Sequence, residues 1–293
     1  MRNTRILTAA VAAVAAAASL TACSSGSSSD SDTITVGTTD ASLPEWGVLK
    51  DLAGKEGIDV EMVNFAEYNT PNQALNEGQT VTNKFQHLKF LADYNVGNGT
   101  DLVPVAATQV YPMPLFWKDH DSLDGIEGQE IAIPNDATNQ GRALNLLASK
   151  GLIKLTAEKT TPDLADIDEG ASKVKVVAVD ASQTPSAYGE GQPAIITNSF
   201  FERANIDPTT SILSDDPDAD PELTFDPYIN VWAVRAEDKD NAKVQRLAEL
   251  YHSEEVEAAV QKTTGGTTIF VDTPQDKLQE ILDRLEEEEL AEQ

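Results

Sequence analysis

Short apolar runs alternate with longer amphipathic segments along most of this chain, and no other feature restricts the fold as much. Thr33 to Gly37 reads as a first buried strand, and a helix follows from about Pro44 to Glu56, ending at Gly57. Val60 to Phe65 is a second strand, Pro71 to Asn76 begins another helix, and Leu102 to Ala107 is a third, strongly apolar strand. Ile131 to Ile133 precedes a helix from about Asn139 to Lys150. Val174 to Val179, Ala194 to Ile196 and Ile229 to Val234 are further strands. Helices fill Asn241 to Tyr251, Glu254 to Thr263 and Gln275 to Glu289. Such alternation means an α/β fold with mainly parallel sheets. About fifteen elements with short connections leave no room for a further independent unit. In the last helix Leu278, Ile281, Leu282 and Leu285 make an apolar stripe among Glu and Arg. That pattern describes a surface helix packed on the body, with a partner-binding helix as the alternative.

The N-terminus has a different character. Arg2 and Arg5 precede an almost uncharged run from Ile6 to Ala22, the pattern of a secretory signal. The run is shorter than the roughly 20 strongly apolar residues a spanning helix needs, and it is rich in Ala. Its exit, Leu20-Thr21-Ala22-Cys23, resembles the lipobox of bacterial lipoproteins, where the cysteine sulfur is acylated and becomes the new N-terminus. Residues 1–22 are therefore expected to be a lipoprotein signal peptide and Cys23 the lipidation site. An ordinary signal with a chance cysteine is the plainer alternative. Ser24 to Asp32 is Gly/Ser-rich and polar, so 23–32 is expected to be a flexible tether with a reach of roughly 15–18 Å. The expected location is the extracytoplasmic face of the cell membrane, held by lipid.

Composition narrows the chemistry. With 21 Lys and Arg against 49 Asp and Glu, the formal charge is −28. A surface this acidic repels phosphate backbones and disfavours nucleic acid. Cys23 is the sole cysteine, so acylation leaves no thiol for a disulfide or a metal. His87, His120 and His252 stand far apart without metal spacing. HExxH, GxSxG and P-loop motifs are absent, and carboxylate pairs carry no information in so acidic a chain. Neither an enzyme nor a cofactor is expected.

Three stretches carry a resemblance. The first is Tyr68-Asn69-Thr70-Pro71-Asn72-Gln73-Ala74-Leu75 with Asn83-Lys84-Phe85-Gln86-His87. The second joins Val110-Tyr111-Pro112, Ser122-Leu123-Asp124 and Ile131-Ala132-Ile133-Pro134-Asn135-Asp136, then runs from Thr138-Asn139-Gln140-Gly141-Arg142-Ala143-Leu144 to Gly151-Leu152-Ile153-Lys154-Leu155. The third is Pro227-Tyr228-Ile229-Asn230-Val231. In order and spacing the chain resembles the NlpA/MetQ family, the methionine-binding lipoproteins of ABC importers, over about residues 33–266. The resemblance implies a two-lobed periplasmic-binding-protein fold, type II-like, with the ligand in a cleft between lobes. Lobe 1 is expected over 33–114 plus 227–293 and lobe 2 over 115–226. It further implies capture of methionine, or a similar zwitterionic amino acid, for a permease with a separate ATPase. Other apolar amino acids, a methionyl dipeptide, and an adhesin or receptor reusing the fold are the alternatives.

The resemblance also assigns residues. Arg142 matches the family's carboxylate-binding arginine, a fit for bidentate pairing, in the run that begins at Asn139. Tyr68, Phe85 and Phe90 match an aromatic sleeve for a thioether. Asn230 matches an asparagine whose amide meets the ligand's charged end. His87 either lies against the ligand or hydrogen-bonds within the core. One position departs from the pattern: in strict register Thr197 stands where the family has a ligand-binding asparagine, and Asn198 follows. Either a bulge restores Asn198 or Thr197 supplies a weaker polar contact, because successive strand residues face opposite sides.

Overall fold

The computed structural model describes residues 33–215 and 225–292. The signal segment, Cys23 and the tether lie outside the described residues. In chain order the elements begin with β1 (Ile34–Thr38), α1 (Pro44–Lys55), β2 (Val60–Asn64), α2 (Pro71–Asn76), β3 (Thr82–Asn83), α3 (Leu88–Asn98) and β4 (Leu102–Ala107). Next come β5 (Gln109–Val110), β6 (Pro114–Phe116), β7 (Glu130–Pro134), α4 (Ala137–Ser149), β8 (Lys175–Val179), α5 (Thr184–Gly189), β9 (Ala194–Ile195), α6 (Phe201–Ala204) and β10 (Leu213–Ser214). The remainder is β11 (Val231–Arg235), α7 (Ala242–Tyr251), α8 (Glu254–Thr263), β12 (Ile269–Phe270) and α9 (Gln275–Glu292). No helix among the described residues is long and apolar enough to cross a membrane.

These strands form two five-stranded sheets, in the orders β2-β1-β3-β11-β4 and β10-β6-β9-β7-β8. The fold is α/β, and both sheets are mixed rather than mainly parallel. β1 runs parallel to β2 and β3, and β7 runs parallel to β8 and β9. β11 is antiparallel to β3 and β4, while β6 is antiparallel to β9 and β10. Parallel neighbours need a helical crossover. The antiparallel strands border the places where the chain passes between sheets: it leaves the first sheet after Ala107 and rejoins it at Val231. A two-stranded sheet of β5 and β12 lies on that passage.

Each sheet is covered by helices. Trp46 and Leu49 of α1 pack with Trp232, Val244, Tyr251 and Val260 on one side of the first sheet. Leu88 and Leu91 of α3 pack with Leu102, Val231, Leu278, Leu282 and Leu285 in another cluster. The stripe foreseen on the last helix is thus buried, with Lys89 and Glu289 forming a 3.0 Å ion pair beside it. Ile131, Ile133, Leu144 and Leu147 centre the core of the second sheet. A further cluster joins Tyr68, Phe85 and Phe90 to Phe116, Ile196 and Phe200, and so draws on both halves of the chain.

Helix α3 is missing from the pattern-based reading. Its start is marked by His87, outside the usual Ser, Thr, Asp and Asn caps. The His87 ring nonetheless accepts a hydrogen bond from the Phe90 backbone N–H at 3.1 Å. Gly99 ends the helix at φ 62°, a left-handed conformation that glycine adopts without penalty.

Candidate functional site

The apolar part of the site is built where loops leave the first sheet. Phe85 follows β3, Phe90 lies in the first turn of α3, and Tyr68 precedes α2. Their ring centroids stand 5.7–6.1 Å apart, with Phe90 edge-on to Tyr68 and to Phe85. Edge-to-face pairs at this spacing are favourable beyond area burial. A buried amide network holds the supporting loop. The Gln86 and Asn83 side-chain amides donate to Asn72 Oδ1 at 2.6 and 2.8 Å, and the Asn72 amide donates to Gln86 Oε1 at 2.6 Å. From the other sheet, Thr197 meets the Tyr68 hydroxyl at 2.9 Å.

The departure at Thr197 resolves without a bulge. β9 ends at Ile195, and Thr197 caps a 3₁₀ turn over Asn198–Phe200. Strand alternation no longer applies there, and both Thr197 and Asn198 line the same cavity.

Polar groups face the aromatic cluster. His87 Nδ1 is occupied by the Phe90 N–H, so Nε2 carries the proton and donates to Asn139 Oδ1 at 3.3 Å. Burial, reinforced by nearby Arg142, pushes the imidazole down to about 3, and the ring is neutral at physiological pH. Asn139 is fixed by Asp136, the α4 cap, which accepts from both its backbone N–H and its side-chain amide at 3.0 and 2.8 Å. Burial raises the Asp136 carboxyl above its ordinary value. Asn230 is anchored by its backbone: its N–H donates to the Gln109 carbonyl at 2.8 Å. Its amide nitrogen donates to the Tyr228 carbonyl at 3.4 Å, and its Oδ1 has no protein partner among the described residues.

Arg142 lies in the second turn of α4, beyond the free N–H groups of the helix end. Nε donates to Asp215 Oδ2 at 2.6 Å and Nη2 donates to the Tyr111 carbonyl at 2.9 Å. The guanidinium stacks 4.1 Å from the Tyr228 ring centroid. Asp215 Oδ1 also accepts from the Met113 N–H at 2.5 Å. Arg142 and Asp215 are each 7% exposed as side chains. Nη1 has no partner among the described residues.

Every side chain nominated for ligand contact lines one cavity: Tyr68, Phe85, His87, Phe90, Asn139, Arg142, Thr197, Asn198 and Asn230. Gln86, Tyr111, Pro112 and Met113 line it as well and had no role in the sequence reading. Tyr111, Pro112 and Tyr228 fall in the stretches that carry the family resemblance, so a signal for them existed. Asp215 had none, being one of 49 acidic residues. Chemically, the cavity offers an aromatic end and a polar end with an open guanidinium edge at Arg142 and open amide oxygens at Asn198 and Asn230.

The model of the NlpA lipoprotein family matches residues 34–271. The D-methionine-binding lipoprotein MetQ of Escherichia coli O157:H7 is 34% identical over 220 residues, 73% of this chain and 79% of that protein. The substrate binding protein of a methionine transporter from Streptococcus pneumoniae superposes with TM-score 0.73 at 30% identity, covering 82% of this chain and 95% of that one. A nutrient binding protein from Burkholderia cenocepacia, solved bound to methionine, gives TM-score 0.72 at 33% identity, covering 81% of this chain and 99% of that one.

Proposed function

The chain belongs to the NlpA lipoprotein family, and from that premise we propose that it is a lipid-anchored extracytoplasmic binding protein that captures methionine, or a similar zwitterionic amino acid, for an ABC importer. One observation carries this role. A single cavity joins the rings of Tyr68, Phe85 and Phe90 to a guanidinium, Arg142, with an unused nitrogen. The thioether lies among the rings, where sulfur–aromatic contact contributes about 0.3–1.5 kcal/mol and burial roughly 1.5–3 kcal/mol. The carboxylate takes the open edge of Arg142, and the ammonium donates to Asn230 Oδ1. Residues 33–114 with 227–293 act as one lobe and 115–226 as the other, closing on the ligand. The role is capture, not catalysis. Cys23 carries the lipid, and a permease with its own ATPase receives the cargo. The names of the MetQ and pneumococcal relatives and the methionine-bound relative support ligand and role alike.

The test is direct. Mass spectrometry of small molecules released from purified, denatured protein should find methionine, and calorimetric titration should show binding of one or both enantiomers. No methionine released and no heat with either enantiomer sinks the proposal.

A longer ligand, such as a methionyl dipeptide, is the second reading. A neighbouring pocket lined by Pro114, Phe201, Ser211 and Thr267 shares Tyr111, Pro112 and Asn198 with the site. Titration with methionine and with methionyl dipeptides separates the two.

A further inference from the structure

Arg142 is the one charged side chain among the described residues that line the cavity, since His87 is neutral there. Its charge is not left alone. Asp215 sits behind it, against Nε, as buried as the arginine itself. The carboxylate reaches no cavity surface, and its second oxygen is tied to the Met113 N–H. With the Tyr111 carbonyl on Nη2 and the Tyr228 ring beneath, the guanidinium keeps one orientation and exposes Nη1.

We propose that Asp215 sets the charge preference of the cavity, neutralising Arg142 from behind so that the site selects net-neutral zwitterions over simple carboxylate anions. This rests on the binding role proposed above and names what tunes it. A lone arginine in a dry cavity is a net positive site that takes any carboxylate. Paired with Asp215, the same arginine still donates its hydrogen bonds, but the local net charge is close to zero. A carboxylate at Nη1 then also feels the Asp215 charge beyond the guanidinium. Only a ligand that brings its own ammonium offsets that repulsion. Asp215 is a positioning residue as well, since it fixes the Nε edge. The two roles separate by ligand: loss of positioning weakens every carboxylate alike, whereas loss of the charge favours the anion.

The experiment titrates wild type and Asp215→Asn with methionine and with 4-(methylsulfanyl)butanoate, which is methionine without its ammonium. Asparagine keeps the volume and an acceptor for the Met113 N–H but removes the charge and the acceptor for Arg142 Nε, a loss of positioning that both ligands feel alike. Wild type should prefer methionine. The variant should lose about tenfold or more of that preference, because the butanoate binds more tightly while methionine does not. An unchanged preference, including equal weakening of both ligands, overturns the proposal. Wild type binding the butanoate as tightly as methionine overturns it without any variant. Should Asp215→Asn fail to give a cooperative melt, Asp215→Ser is judged by the same ratio. Wild type binding neither ligand removes the underlying binding role, a failure distinct from a fixed ratio.

Discussion

Two buried side chains show how single residues report on the site and its support. Arg142 reads from the sequence as a carboxylate-binding residue, an expectation that gives it no part in stability. Its burial against Asp215 changes that expectation. Arg142→Ala removes the proposed partner of the ligand carboxylate, and charge-assisted hydrogen bonds contribute about 1.5–3 kcal/mol each. Affinity measured on the folded variant should therefore fall roughly ten- to a hundredfold or more. It also strands Asp215, so stability should drop on the order of 3–5 kcal/mol. Arg142→Lys should recover only part of the affinity, because an ammonium lacks the planar fork. Unchanged affinity in a folded Arg142→Ala protein would reduce the residue to a structural charge. Glu45 carries a second test. It is 1% exposed, one of its oxygens has no partner, and burial together with nearby Asp40 raises its carboxyl to about 7. The folded protein thus holds a proton that the unfolded chain has released above about 4.5, so stability is lost as pH rises through about 7. His87 has the opposite slope: the unfolded chain takes up a proton near 6.5 that the folded protein refuses until about 3. Glu45→Gln should stabilise the protein more at pH 8 than at pH 5, by an amount on the order of 2–3 kcal/mol seen as a larger gain in melting temperature. An equal shift at both values would place the Glu45 carboxyl at its ordinary pKa. Neither Asp215 nor Glu45 was legible beforehand. In a chain with 49 acids, burial is what makes one carboxylate matter, and burial is a property of the fold.

At the scale of elements, local chemistry was legible wherever it acted alone. Prolines start α1 and α2, and the helices over Pro71–Asn76 and Glu254–Thr263 run as the pattern reads. Long-range pairing was not legible: strand direction is set by where the chain crosses between sheets, and no residue in β11 encodes it. α3 was lost because its cap is a histidine, able to accept at Nδ1 only because burial keeps its ring neutral. α9 was legible as an apolar stripe packed on the body, but the elements that receive it were not: α3 lies nearly 200 positions upstream, as in the Lys89–Glu289 bond with a separation of 200. Leu282 is 1% exposed within that cluster, whereas Leu290 is 62% exposed. Leu282→Ala should cost about 2–5 kcal/mol in denaturant unfolding and leave ligand affinity unchanged. Leu290→Ala should change neither quantity. Equal effects of the two substitutions would mean that α9 does not pack as described.

In the proposed binding role the two lobes open to admit a ligand and close to hold it. One close approach between the two proposed lobes lies beside the pocket that adjoins the site. Gly265, just past α8, adopts φ +61°, and a Cβ placed there would come within 2.7 Å of Thr209 Cγ2 and 3.1 Å of Pro208 Cγ. Pro208–Thr210 is a 3₁₀ turn, and Pro208 with Gly266 and Thr267 lines the pocket that adjoins the site. The loop belongs to the first proposed lobe and the turn to the second, so a glycine leaves room for the Thr209 and Pro208 side chains. Wild type should show a smaller radius of gyration in solution scattering once saturated with methionine. Gly265→Ala adds one methyl at the closest approach. It should hold the mouth apart, so the contraction shrinks and affinity falls. Two costs are mixed in that variant, because alanine at positive φ also strains the backbone by roughly 1–2 kcal/mol. A second substitution separates them. Thr209→Ser deletes the Cγ2 atom that the new methyl meets and leaves the φ strain untouched. Gly265→Ala combined with Thr209→Ser should regain much of the contraction and affinity while its melting temperature stays low. If the double variant contracts and binds no better than Gly265→Ala alone, the glycine serves its own loop and closure is governed elsewhere.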